Sequence, residues 1–114
     1  METPHCTQLL SIGTADRVSL VKPSDVLYGE ADGRFTIFHL CDGSTLVATK
    51  NLGVYEERLA DHCFYRVHHK YLVNLFHVKY IKRSETSFCE LQDQTRIPIS
   101  KRRLPKLNRF LRVY

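Results

Sequence analysis

Three short basic segments stand out in this 114-residue chain for the chemistry their side chains can do: Gly33-Arg34, His68-His69-Lys70 and Lys101-Arg102-Arg103. Guanidinium and ammonium groups pair with phosphate oxygens, and they also donate to the O6 and N7 acceptors of guanine. A histidine both donates and accepts, so His69 suits a base edge and would respond to pH near neutrality. Each segment ends an extended stretch, where side chains project beyond a sheet. Arg34 alone reads rather as an exposed hairpin tip, and the plain reading of Lys101–Arg103 is a solvated helix start. Three positive charges in a first helical turn oppose the helix dipole, however, and that cost points to an external anion.

The charge distribution agrees. Residues 1–60 hold five Lys/Arg against eight Asp/Glu, and residues 61–114 hold twelve against four, for a net of +5. A small domain segregated in this way presents a positive face that attracts polyanions, nucleic acid before anionic membrane. Hydrophobic content of 43% and charged content of 25% are those of an ordinary globular domain. No apolar run approaches the ~20 residues that span a bilayer. The start, METPHCTQ, lacks the basic-then-apolar layout of a secretory signal, so a cytoplasmic protein with no membrane association is expected.

Cys6, Cys41, Cys63 and Cys89 are far apart, which reads as free thiols in a reducing compartment rather than a disulfide framework. Zinc wants close-spaced ligand pairs. On a strand, His68 and His69 would point to opposite faces. Neither a metal nor any other cofactor is expected.

The elements that must position these groups are mostly extended. LLSIG (9–13) and RVSLV (17–21) read as short strands. VLYGEA (26–31) and RFTIFHL (34–40) flank Asp32-Gly33, a hairpin signal because both residues tolerate positive φ. Phe35, Ile37 and His39 share one face of the second strand and Thr36, Phe38 and Leu40 the other, so it should be largely buried. Asp42-Gly43 turns the chain into STLVAT (44–49). Leu52, Tyr55 and Leu59 are spaced for a short helix capped by Asn51 and weakened by Gly53. FYRV, HVKYIKR (77–83), SFCEL (87–91) and TRIPIS (95–100) are further strands, the last an edge because Pro98 removes a ladder donor. A C-terminal helix begins either at a Ser100 cap or at Pro105. The expected fold is mostly β: one compact domain over 1–114, of about ten short antiparallel strands in small sheets with one or two short helices.

Taken in order, DVLYGEADGRFTIFHLCDG, NLGVYEERL, CFYRVHHKYLVNL and RIPISKRRLPKL resemble the LytTR family of bacterial DNA-binding domains, over about residues 12–111. The resemblance implies loops that enter successive major grooves and use as the output domain of response regulators in two-component systems. Carried over by position, it implicates Arg34 and Phe35 in a first contact loop, His69 after the His of RxH, and Arg102 two residues after the Ser of IPxS. Lys101 and Arg103 are their basic neighbours. Members commonly carry Lys, Arg or Asn and then Ser after that His; this chain carries His69 and Lys70, and either is a candidate for the base contact. The implied partners are double-stranded DNA, with two copies on tandem repeats, and a receiver domain or sensor protein outside this chain. The 114 residues leave no room for a receiver domain, so a standalone regulator or part of a longer one is expected.

In the run FYRVHHKYLVN, Phe64, Tyr71, Leu72 and Val73 should anchor the core. Arg66 and His68 should be partly buried and hydrogen-bonded, Asn74 should satisfy backbone groups, and His69 and Lys70 should emerge. Two other classes compete. An RNA-binding β module needs stacking aromatics on an exposed sheet face, and here the aromatics read as core. A His-dependent phosphodiesterase or nuclease needs a base, an acid and a phosphate clamp in one cleft. Glu30, Asp32 and the histidines have no spacing that demands it, so no enzyme is expected.

Overall fold

The computed structural model describes residues 3–113; Met1, Glu2 and Tyr114, which the expected 1–114 domain includes, lie outside the described residues. Among those described, ten short strands form three antiparallel sheets, matching the expected mostly-β fold. β1 (Leu10–Gly13) and β2 (Val18–Val21) make a hairpin. β3 (Val26–Asp32), β4 (Phe35–Leu40), β5 (Thr45–Ala48), β6 (Phe64–His68) and β7 (Tyr71–Asn74) make a sheet ordered β5-β4-β3-β7-β6. β8 (Val78–Lys82), β9 (Phe88–Leu91) and β10 (Arg96–Pro98) make the third, with Pro98 on an edge strand as expected.

The five-stranded sheet is the middle layer. Successive residues on a strand face opposite ways, so Val26 and Leu72 join one apolar cluster while Leu27 and Val73 join another. On the first face the β1–β2 hairpin lays down Leu10 and Ile12, and α1 (Leu52–Arg58) with the residue after it adds Leu52, Tyr55 and Leu59. On the second, β9 brings Cys89 and Leu91, the β10 segment Ile97 and Ile99, and α2 (Leu104–Leu111) Leu107. Each fully buried large apolar side chain stabilises the fold by about 1.5–3 kcal/mol, so the two helices pin opposite sides of one rigid sheet. α1 comes especially close at Gly29, where a Cβ would meet Leu52 Cδ1 at 3.1 Å and Phe38 Cε1 at 3.2 Å.

Local chemistry sets the element ends. Asn51 Oδ1 accepts from the Val54 amide at 3.2 Å and caps α1 as expected. The β3–β4 turn differs from expectation by one residue. Asp32 pairs with Phe35, which leaves Gly33-Arg34 as the central pair, with positive φ only at Gly33 (58°). α2 likewise starts later than a Ser100 cap would allow. A turn at 101–103 intervenes, Leu104 N donates to Ser100 O at 3.1 Å, and Pro105 sits in the first helical turn, where its missing N–H costs nothing. Lys101-Arg102-Arg103 therefore precede the helix rather than fill its first turn.

All four cysteines are free thiols, and burial pushes that of Cys89 up to about 11. No helix among the described residues is long and apolar enough to cross a membrane.

Candidate nucleic-acid interface

Strand register decides which loops meet. β3 and β7 pair Glu30 with Tyr71, and the Ala31 amide donates to the Lys70 carbonyl at 2.8 Å. The end of β3 therefore lies beside the start of β7. The β3–β4 turn carrying Arg34 and the β6–β7 turn carrying His69 and Lys70 stand at the same end of the central sheet. The third segment is fastened there too. Ser100 N donates to Val67 O at 2.9 Å, and an Arg103 guanidinium nitrogen reaches the Arg66 carbonyl at 3.5 Å. All three cationic segments are thus presented from one end of one sheet.

Their side chains differ in freedom. Arg34 is exposed, with its guanidinium carbon 5.2 Å from the centre of the half-buried Phe35 ring. His69, Lys70, Lys101 and Arg102 are exposed, and Arg103 is half-buried. His68 is half-buried, and its ring lies 4.4 Å from that of His69 and 5.7 Å from that of Tyr71. The expectation that His68 and His69 face opposite ways therefore fails. The physical reason is a β-bulge: Arg66 pairs with Leu72 and His68 with Tyr71, so Val67 is an extra residue and His69 already lies in the turn. No group of three His, Cys, Asp or Glu able to hold a metal ion forms among the described residues.

His68 Nδ1 accepts the Lys70 amide at 3.2 Å, which fixes the neutral tautomer with its proton on Nε2. Burial, and then nearby His69, Arg103 and Lys70, hold its pKa below the usual histidine value. Arg66 holds the turn from beneath. One guanidinium nitrogen donates to Glu56 Oε1 on α1 at 3.0 Å and the other to the His69 carbonyl. Asn74 closes the far end of β7, where its amide nitrogen donates to Val26 O at 3.0 Å and Pro23 O at 3.2 Å.

Of the acid–base groups a catalyst would need, Glu30 and His39 are spent on each other, while Asp32 and His69 stay exposed. His39 Nε2 lies 3.0 Å from Glu30 Oε1, both side chains are about three-quarters buried, and Tyr28 stacks on His39 at 4.2 Å. Phe38 and Tyr55 meet edge to face in the core and are closed to a base, but Phe76, Tyr80 and Phe110 are exposed, so the expectation that the aromatics are core holds only in part.

Two basic residues at this end escaped the sequence reading. Lys50 follows β5, whose Ala48 pairs with Thr36, and its carbonyl accepts from Thr36 Oγ1 at 2.9 Å. Lys106 stands in the first turn of α2, four residues after Arg102 in the turn that precedes it, and both line a groove beside β6. Its place just past the basic run 101–103 was the available signal.

The chain matches the family described as the LytTr DNA-binding domain over residues 16–112. It is 26% identical, over 113 residues, to the CO-responsive transcriptional regulator RcoM of Rhodospirillum rubrum. That alignment takes in 96% of this chain and 48% of the relative, so the chain spans about half the length of the curated relative it matches. Its fold is similar to that of the LytTr DNA-binding domain of a protein described as a methyl-accepting/DNA response regulator from Bacillus cereus. The TM-score is 0.78, with 24% identity over 91% of this chain and 96% of that one.

Proposed function

This chain belongs to the LytTr DNA-binding domain family, and on that premise we propose that it is the DNA-reading part of a transcriptional regulator, working through three cationic tips. Arg102 donates to a guanine edge in the major groove, and His69 or Lys70 contacts a second base. Arg34, over the Phe35 ring, meets the duplex at the far side, while Lys101 and Arg103 hold phosphates. The segment 12–111 acts as one folded unit in the cytoplasm, binds as two copies on tandem repeats and performs no chemistry of its own. A receiver or sensor module elsewhere controls it.

One observation carries this reading: the pair of backbone bonds Ala31 N to Lys70 O and Ser100 N to Val67 O. They gather tips that are separated by more than sixty residues in sequence onto one sheet end. A scaffold that holds its contacts before binding loses little entropy on association. The test is to select bound sequences from a random duplex pool and then titrate the selected site against salt. A shared sequence and an affinity falling steeply with salt support the reading. A pool that never converges, or a flat salt dependence, overturns it.

A further inference from the structure

Beside the free edge of β6, between α1 and α2, runs a groove of about 500 Å³. Arg66, Arg102, Arg103 and Lys106 line it, and Glu56 is its one carboxylate. That carboxylate is already engaged by Arg66. Among the described residues, Arg102, Arg103 and Lys106 have no carboxylate within ion-pair distance. The Nε atoms of Arg66 and Arg103 are buried and find no acceptor there. One wall is apolar, with the Tyr65 and Phe110 rings 5.0 Å apart. Gathering four cations around one acid is unfavourable in itself, and an anion entering between them relieves the repulsion.

We propose that this groove is a phosphate-binding site that takes a backbone phosphodiester of the bound duplex, with Arg103 and Lys106 on the phosphate and the Tyr65–Phe110 wall against its sugar. The proposal rests on the DNA-reading function above and adds to it a seat for the backbone, distinct from the base contacts. Phosphate fits better than a simple halide because guanidinium forks match its oxygens two at a time. The backbone fits better than a free compound because Arg102 lines the groove and also reaches the base-contact end. Arg66 joins the two by donating to the His69 carbonyl from the groove floor. A strand read by His69 and Arg102 passes over this edge.

Lys106 is exposed, so it tests the groove without disturbing the fold. Lys106→Gln is compared with the parent on the selected operator and on a random duplex, across a range of salt, with thermal melting to check folding. The expected result is an equal weakening on both duplexes and a log–log salt slope shallower by about 0.9, roughly an eightfold smaller change per tenfold of salt. An unchanged slope, or a loss confined to the operator, overturns the proposal while leaving DNA reading intact. If the parent binds no duplex at all, the DNA premise fails and a second arm decides the groove. Inorganic pyrophosphate is titrated while the amide resonances of residues 101–104, 106 and 107 are followed. Shifts present in the parent and lost in Lys106→Gln retain a phosphate site for free compounds, and no shift in the parent removes it.

Discussion

The Arg66 guanidinium donates to the backbone carbonyl of His69, three residues on, and so a side chain on the edge strand sets the shape of the turn that follows it. Its other nitrogen is held by Glu56 at 3.0 Å, so α1, the strand and the turn are linked through one side chain. Arg66→Ala should cost about 1–3 kcal/mol of stability, since charge-assisted bonds are lost and the His69 carbonyl is left to find water. It should also lower DNA affinity, because the turn loses its fixed geometry. Chemical denaturation and binding titrations measure the two effects. Arg66→Lys should restore only part of each, because an ammonium cannot span both acceptors. A fully active alanine variant would refute the bracing role.

Arg102 has the opposite profile. It is exposed and has no hydrogen-bond partner among the described residues. Arg102→Ala should leave the melting temperature unchanged, weaken operator binding by about 1–3 kcal/mol and relax preference at one base position. Selection from a random pool with the variant reads that position directly. An unaltered consensus would move the base contact elsewhere.

His68 makes stability depend on pH. Burial first, then His69, Arg103 and Lys70, holds its folded pKa below the ordinary 6.5. The folded state therefore disfavours the protonated ring relative to the unfolded chain. The stability this site contributes is complete well above pH 6.5 and is lost as pH falls through 6.5 toward the lower folded value. Urea midpoints of the parent should decline over that interval more steeply than those of His68→Gln. Parallel curves for the two proteins would show that His68 does not titrate differently on folding.

Gly29 tests the packing that makes the scaffold rigid. A Cβ there meets Leu52 at 3.1 Å and Phe38 at 3.2 Å, and a valine adds two further methyl groups to that contact. Gly29→Val should cost about 1–3 kcal/mol through overpacking, a fall of roughly 4–8 °C in Tm for each kcal/mol in a domain of this size. Salt dependence of DNA binding at low temperature should stay as in the parent, because no cationic tip is touched. A Tm equal to the parent's would mean that α1 yields freely.

Much of this architecture was legible in the residues. Alternation and turn pairs located the strands, Asn51 announced its helix, and Pro98 marked an edge. The failures share one cause, which is that pairing register is non-local. Nothing within FYRVHH reveals that Val67 is an added residue, because the bulge exists only opposite Leu72 and Tyr71. Strict alternation therefore sent His68 and His69 to opposite faces, whereas their rings lie 4.4 Å apart. The same limit hid the groove. Arg66 and Lys106 are forty residues apart in sequence, and only the docking of α2 beside β6 makes them neighbours. Ser100 resembled a cap because it precedes a basic, helix-like stretch, but its amide is fastened to Val67 on β6 and its carbonyl closes the turn at 101–103.

Glu56 supplies the last prediction, because it is the one acid in the cationic groove. Its carboxylate lies against Arg66 at 3.0 Å with the Glu56 side chain 45% exposed, so it neutralises charge that an incoming phosphate would otherwise meet. An ion pair this open to water stabilises the fold only slightly, by about 0–1 kcal/mol. Glu56→Gln keeps a hydrogen-bond acceptor for Arg66 and removes the negative charge. The variant should remain folded and bind operator and random duplex more tightly by a common factor, about 0.2–1 kcal/mol, with a steeper salt slope. Paired titrations of Glu56→Gln and Lys106→Gln therefore move in opposite directions on every duplex if backbone phosphate enters the groove. Equal affinities for the parent and Glu56→Gln would mean that the duplex passes this edge by.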